Sequence, residues 1–102
     1  MIRVNVIYHF PAEQSEGAKK FFEDIQKNCI LEQTRQEAGC VCYDMYFHAE
    51  DPDRIFLLEL WKDQDAVASH SKEVHFLKLQ EIKKAHQAET ELVRFDESSA
   101  LG

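Results

Sequence analysis

Glycine is scarce in this chain, with three in 102 residues, alongside two prolines and a single tryptophan. A phosphate-cradling loop, a dinucleotide fingerprint and a nucleophile elbow all need closely spaced glycines, and three scattered ones cannot build them. A nicotinamide site is therefore not expected, whereas a flavin held between subunits stays open. Cations are outnumbered, 12 Lys and Arg against 19 Asp and Glu, for a formal charge of −7. Nucleic-acid binding needs clustered cations to neutralise phosphates, so that class of partner is not expected. No stretch approaches the roughly 20 apolar residues that cross a bilayer, so no membrane partner is expected. Three cysteines make an odd count, and Cys40 and Cys42 sit too close for an ordinary bridge. Reduced thiols in the cytosol are the simple reading. The opening residues support it, because Ile2, Val4 and Val6 alternate with polar residues as in a strand, not as in a secretory leader.

What is present suits one compact domain. Apolar residues make up 44% of the chain, enough for one core of modest size. The pattern predicts a first strand over Ile2–His9 and then a helix over residues 15–35, with Ala18, Phe21, Phe22, Ile25 and Cys29 on one stripe. Gly39 is placed for the turn out of that helix. Strands over Cys40–Phe47 and Arg54–Trp61 flank an Asp-rich loop and form a hairpin. A short helix capped by Asp63 follows to residue 71, then a longer one over 72–86 and a last strand over 90–95. The domain is expected over 1–96, with a loose polar tail over 97–102.

Strand, helix, strand, strand, helix, strand is the order of an α+β, ferredoxin-like domain, a four-stranded antiparallel sheet with helices on one face. The second and third strands, CVCYDMYF and RIFLLELW, are apolar on both faces. An antiparallel sheet with one wet face should alternate, so something is expected to cover the face away from the helices. The expected cover is a second copy of the chain, giving a homodimer.

Several short motifs occur in a telling order: Glu37-x-Gly39-Cys40, Tyr43-Asp44, Asp51-Pro52, Phe56-x-x-Glu59-x-Trp61, Asp65-Ala66, His70 and His75-Phe76. In order and spacing they resemble the antibiotic-biosynthesis monooxygenase family. The resemblance implies a dimeric α+β barrel with a pocket in each subunit between sheet and helices. It also implies chemistry on a small molecule: oxygenation of quinols or phenols by dioxygen with no metal or flavin, isomerisation of a small phosphorylated carbonyl compound, or, in a distant branch, haem degradation. The haem branch carries an Asn, a Trp and a His at three places; here these correspond to Asn5, His70 and a position near Gln80. Two of the three depart, which argues against haem.

His70 shares an inward helix face with Ala66 and Val67, and an imidazole there suits a general base taking a proton from a phenol. A helix-end His bonded to a carbonyl is the plainer alternative. Trp61 ends its strand and offers a flat wall with one N–H donor, or simply core packing. Asn5 is an amide among apolar neighbours, bonded either to substrate or to a neighbouring strand. Glu59 is the one charge in its strand, a second proton-transfer group or a structural hydrogen bond. His75 follows His70 by five residues, about 140° around a helix, so the two converge only if the helix breaks near Ser71-Lys72. Phe22, Ile25, Phe56 or Leu57, Glu59, His75 and Phe76 are the expected substrate contacts. A phosphorylated substrate would need Arg3, Arg54 or Arg94. No His pair has the i, i+4 spacing of a helical zinc site, and Cys40 and Cys42, on one strand face about 6.6 Å apart, lack further ligands. No metal and no cofactor are expected.

Overall fold

The computed structural model of the chain describes residues 1–96; the expected tail over 97–102 lies outside the described residues. The elements are β1 (Ile2–His9), α1 (Gly17–Lys27), α2 (Ile30–Arg35), β2 (Cys40–Phe47), β3 (Arg54–Trp61), α3 (Gln64–His70), α4 (Val74–Ala85) and β4 (Glu89–Asp96). The strands form one sheet in the order β2-β3-β1-β4, with every pairing antiparallel. This is the expected ferredoxin-like α+β fold. No helix among the described residues is long and apolar enough to cross a membrane.

Strict alternation in β1 decides which face packs. Ile2, Val4, Val6 and Tyr8 are buried, and by register Ile55, Leu57 and Trp61 share their face. Phe21 and Ile25 from α1, Ile30 and Leu31 from α2, and Leu79 and Ile82 from α4 close the core over them. The opposite face carries Asn5 and Ile7 from β1, Phe56, Leu58 and Leu60 from β3, Tyr46 from β2, and Val93 and Phe95 from β4. Every residue of β4 is exposed. Even Leu92, which points to the helix side, is 58% exposed, so the helix layer stops short of this strand.

Three expectations need correction. The first helix is two helices, because Asn28 closes α1 and Cys29 takes a left-handed conformation (φ 53°) before α2 starts. The Asn28 amide holds the break by donating to the Asp24 carbonyl at 2.8 Å. Cys29 is thereby turned out to solvent and leaves the apolar stripe. Gly39 is not needed for a left-handed turn, since no glycine among the described residues has positive φ. It is needed for space, as a Cβ there would come within 2.2 Å of the Ala66 Cβ. Cys40 and Cys42 do not share a face. An irregularity between them pairs Cys40 with Trp61 and Cys42 with Leu60, whose side chains point to opposite sides.

Candidate functional site

The site is assembled where three chain breaks meet. Glu37 sits in the turn between α2 and β2, its N–H donating to the Thr34 carbonyl and its carbonyl accepting from Cys40 N–H, each at 3.0 Å. His70 is the last residue of α3. Asp63 starts that helix by accepting from Ala66 N–H at 2.9 Å, the N-cap expected from sequence. Residues 71–73 then break the helix, with Glu73 N–H donating to the His70 carbonyl, and His75 follows near the start of α4. That break is what the five-residue spacing required for the two imidazoles to converge.

They converge on one oxygen. Glu37 Oε2 lies 2.7 Å from His70 Nδ1 and 2.7 Å from His75 Nε2. His70 and His75 are 5% and 8% exposed. A carboxylate only accepts, so each neutral ring donates its N–H to Glu37. The lone pair then resides on Nε2 of His70 and on Nδ1 of His75. Aromatic rings hold His70 in place: Trp61 at 4.5 Å between centroids, Phe76 at 5.1 Å and Tyr43 at 5.7 Å.

Beneath the imidazoles, Trp61 donates its indole N–H to Glu59 Oε1 at 2.9 Å. Burial pushes the Glu59 carboxyl up to about 7, and the indole donor opposes part of that rise. Burial likewise raises the Tyr43 and Tyr8 phenols and lowers the ammonium of Lys83, which stands 5.4 Å over the Tyr8 ring. Cys40 is pushed up to about 11, chiefly by burial, and is no ready nucleophile. Outside α3, an open hollow of about 410 Å³ touches Glu37 and Gly39 and is bordered by Asp63, Asp65 and Glu73, with Lys62 its one cation.

Of the residues singled out from sequence, His70, His75, Trp61, Glu59 and Phe76 form one neighbourhood. Asn5 does not join it, because alternation along β1 places it on the opposite face of the sheet. There its Oδ1 is buried without a hydrogen-bond partner. Phe22 packs edge-on against Phe47, and Ile25 and Leu57 are sealed in the core. Leu57 is four residues from Trp61 along β3, about 13 Å away. The Phe47 that Phe22 meets pairs with Ile55, farther still along that strand, so neither Leu57 nor Phe22 gathers around His70. Sequence reasoning missed Glu37 as a site residue, although it opens the first quoted motif. The expectation of no metal rested on spacing along single helices. The fold instead collects an imidazole pair and a carboxylate from three segments, with all donor atoms within 4.8 Å of one another.

A family model described as antibiotic biosynthesis monooxygenase matches residues 1–82. The chain is similar to a solved structure of an antibiotic biosynthesis monooxygenase, with 25% identity over 97% of this chain and 100% of that one and a TM-score of 0.79. It is similar to a Bacteroides thetaiotaomicron protein of unknown function, described as a possible oxidoreductase, at 26% identity over 92% and 94% of the chains with a TM-score of 0.78. A conserved Methanosarcina mazei protein shares 26% identity over 95% and 92%, with a TM-score of 0.79. No curated protein matches.

Proposed function

The chain belongs to the antibiotic biosynthesis monooxygenase family, and from that premise we propose that it oxygenates a small quinol or electron-rich phenol with dioxygen and no cofactor, using His70 as base. Membership supports monooxygenase-type chemistry in general; the substrate class is our reading. The observation that carries it is the His70–Glu37 pair at 2.7 Å, packed against Trp61. Glu37 holds His70 in the tautomer whose free Nε2 lone pair can take a proton. A phenol that loses its proton becomes an electron-rich anion that reduces dioxygen by one electron, and radical recombination forms the new C–O bond. For a hydroquinone the balance is hydroquinone plus dioxygen giving hydroxyquinone plus water. Asp63, Asp65 and Glu73 around the adjoining hollow favour a neutral substrate over a phosphorylated one.

A second reading is favoured by one observation. His75 offers another imidazole on the same carboxylate, its ring centroid 6.1 Å from that of His70. Two proton carriers sharing one relay suit isomerisation of a small carbonyl compound, one removing and the other returning a proton.

The same proposal includes a homodimer built sheet to sheet. Its support is the open apolar face and the Asn5 oxygen buried there without a partner. The functional test is turnover of a naphthohydroquinone in air and under argon. Consumption above the uncatalysed rate that stops without dioxygen is expected, with one oxygen atom in the product. No enzyme-dependent turnover in air contradicts the oxygenase reading, and turnover of a carbonyl isomer under argon supports the isomerase.

A further inference from the structure

We propose that Glu37, His70 and His75 form a three-ligand site for a divalent transition metal, with Zn(II) the ion its donor set fits best. One carboxylate oxygen and two imidazole nitrogens come from three separate segments, and all lie within 4.8 Å of one another. Nitrogen and oxygen donors in this number are what zinc takes in sites that keep a position open. Bonds of about 2.0–2.1 Å at tetrahedral angles place such donors roughly 3.4 Å apart. The present 2.7 Å separations therefore need the carboxylate to retreat by ~0.7 Å. The two imidazole nitrogens, within 4.8 Å of each other, need to close by up to ~1.4 Å, and side-chain rotation supplies both adjustments. Among the described residues this is the one such group of His, Cys, Asp and Glu side chains.

The surroundings favour a cation's approach. Glu37 is shared with the outer hollow, where Asp63, Asp65 and Glu73 face a single Lys62. Acidic walls of this kind concentrate cations ahead of binding, and the chain's overall charge of −7 adds to the field. The hollow is also where water or an exogenous ligand could complete the coordination.

Occupancy changes the chemistry of His70. A metal on Nδ1 displaces that N–H, and the neutral ring's proton moves to Nε2. The nitrogen that accepted a proton then carries one. A bound ion thus switches off the base on which the proposed oxygenase rests, so metal and turnover compete. The binding test needs no substrate, and so its failure is separable from failure of the functional reading.

The experiment is calorimetric titration of chelator-treated, dialysed protein with zinc chloride alone, with cobalt chloride as a spectroscopic substitute. One ion per chain is expected, with the visible d–d bands of a tetrahedral centre for cobalt. His75→Ala should weaken binding by more than ~10-fold, since losing even an outer-sphere partner of a ligand costs 10–100-fold. His86→Ala should bind as wild type, because His86 pairs with Asp24 instead. Wild-type protein that takes up no stoichiometric zinc, or uptake that survives combined His70→Ala and His75→Ala, overturns the proposal. The wild-type titration decides the matter even if a variant misfolds.

Discussion

Glu59 shows what one buried charge does to the whole stability curve. Burial pushes its carboxyl from an ordinary 4.5 up to about 7, while the unfolded chain releases the proton near the ordinary value. Between those values the folded state binds more protons than the unfolded one, so stability falls as pH rises through the window. Glu59→Gln keeps an acceptor for the Trp61 indole and removes the charge. Urea unfolding at pH 5 and pH 8 should show wild type losing on the order of 3 kcal/mol more than the variant. Identical pH dependence would place Glu59 in a wetter setting than the structure gives it. At this scale much of the site was legible. His70, Trp61, Glu59 and His75 each stand out as a polar or aromatic group on an inward face. Glu37 did not, because a glutamate in a turn has no periodicity to betray it. Asn5, expected to bond either to substrate or to a neighbouring strand, lies on the sheet face away from the imidazoles, a placement that needs strand alternation combined with the register of β3.

Element boundaries follow backbone details that composition does not encode. The helical stripe from Ala18 to Cys29 looks continuous, yet the Asn28 amide bonds back to Asp24 and Cys29 turns left-handed. The break at residues 71–73 was legible only as a condition for His70 and His75 to meet. Gly39 carries the clearest test at this scale. Its missing Cβ is what lets α3 lie against the start of β2, with Lys62 N–H donating to the Gly39 carbonyl at 2.9 Å. Gly39→Ala should destabilise the fold by about 1–3 kcal/mol, the usual cost of overpacking. Ala66→Gly costs ~1 kcal/mol of helix propensity by itself. Combined with Gly39→Ala it should recover stability, because the methyl that clashed is gone. Thermal unfolding of the two single variants and the double variant measures this; a double variant no better than the sum of its parts would refute the contact.

For the whole molecule, the order of elements foretold the ferredoxin-like sheet, and strands apolar on both faces foretold a cover over the side away from the helices. The register says which residues lie on each side. Leu57 is 1% exposed beneath the helices, and its neighbour Leu58 lies on the open face. Sedimentation at micromolar concentration should give twice 11.9 kDa for wild type. Leu57→Asp should unfold the chain by burying a charge, whereas Leu58→Asp should leave it folded and monomeric. A wild-type monomer would remove the sheet-to-sheet dimer.

The measurement that bears most directly on the account is turnover of a naphthohydroquinone in air by wild type and by His70→Asn, corrected for uncatalysed oxidation. Asparagine can still donate an N–H to Glu37, so the fold and the Glu37 contact are retained while the basic nitrogen is lost. The account predicts a folded variant whose turnover falls by about 10²–10⁴-fold, the range for a lost general base. A folded His70→Asn that turns over the quinol at the wild-type rate would contradict it.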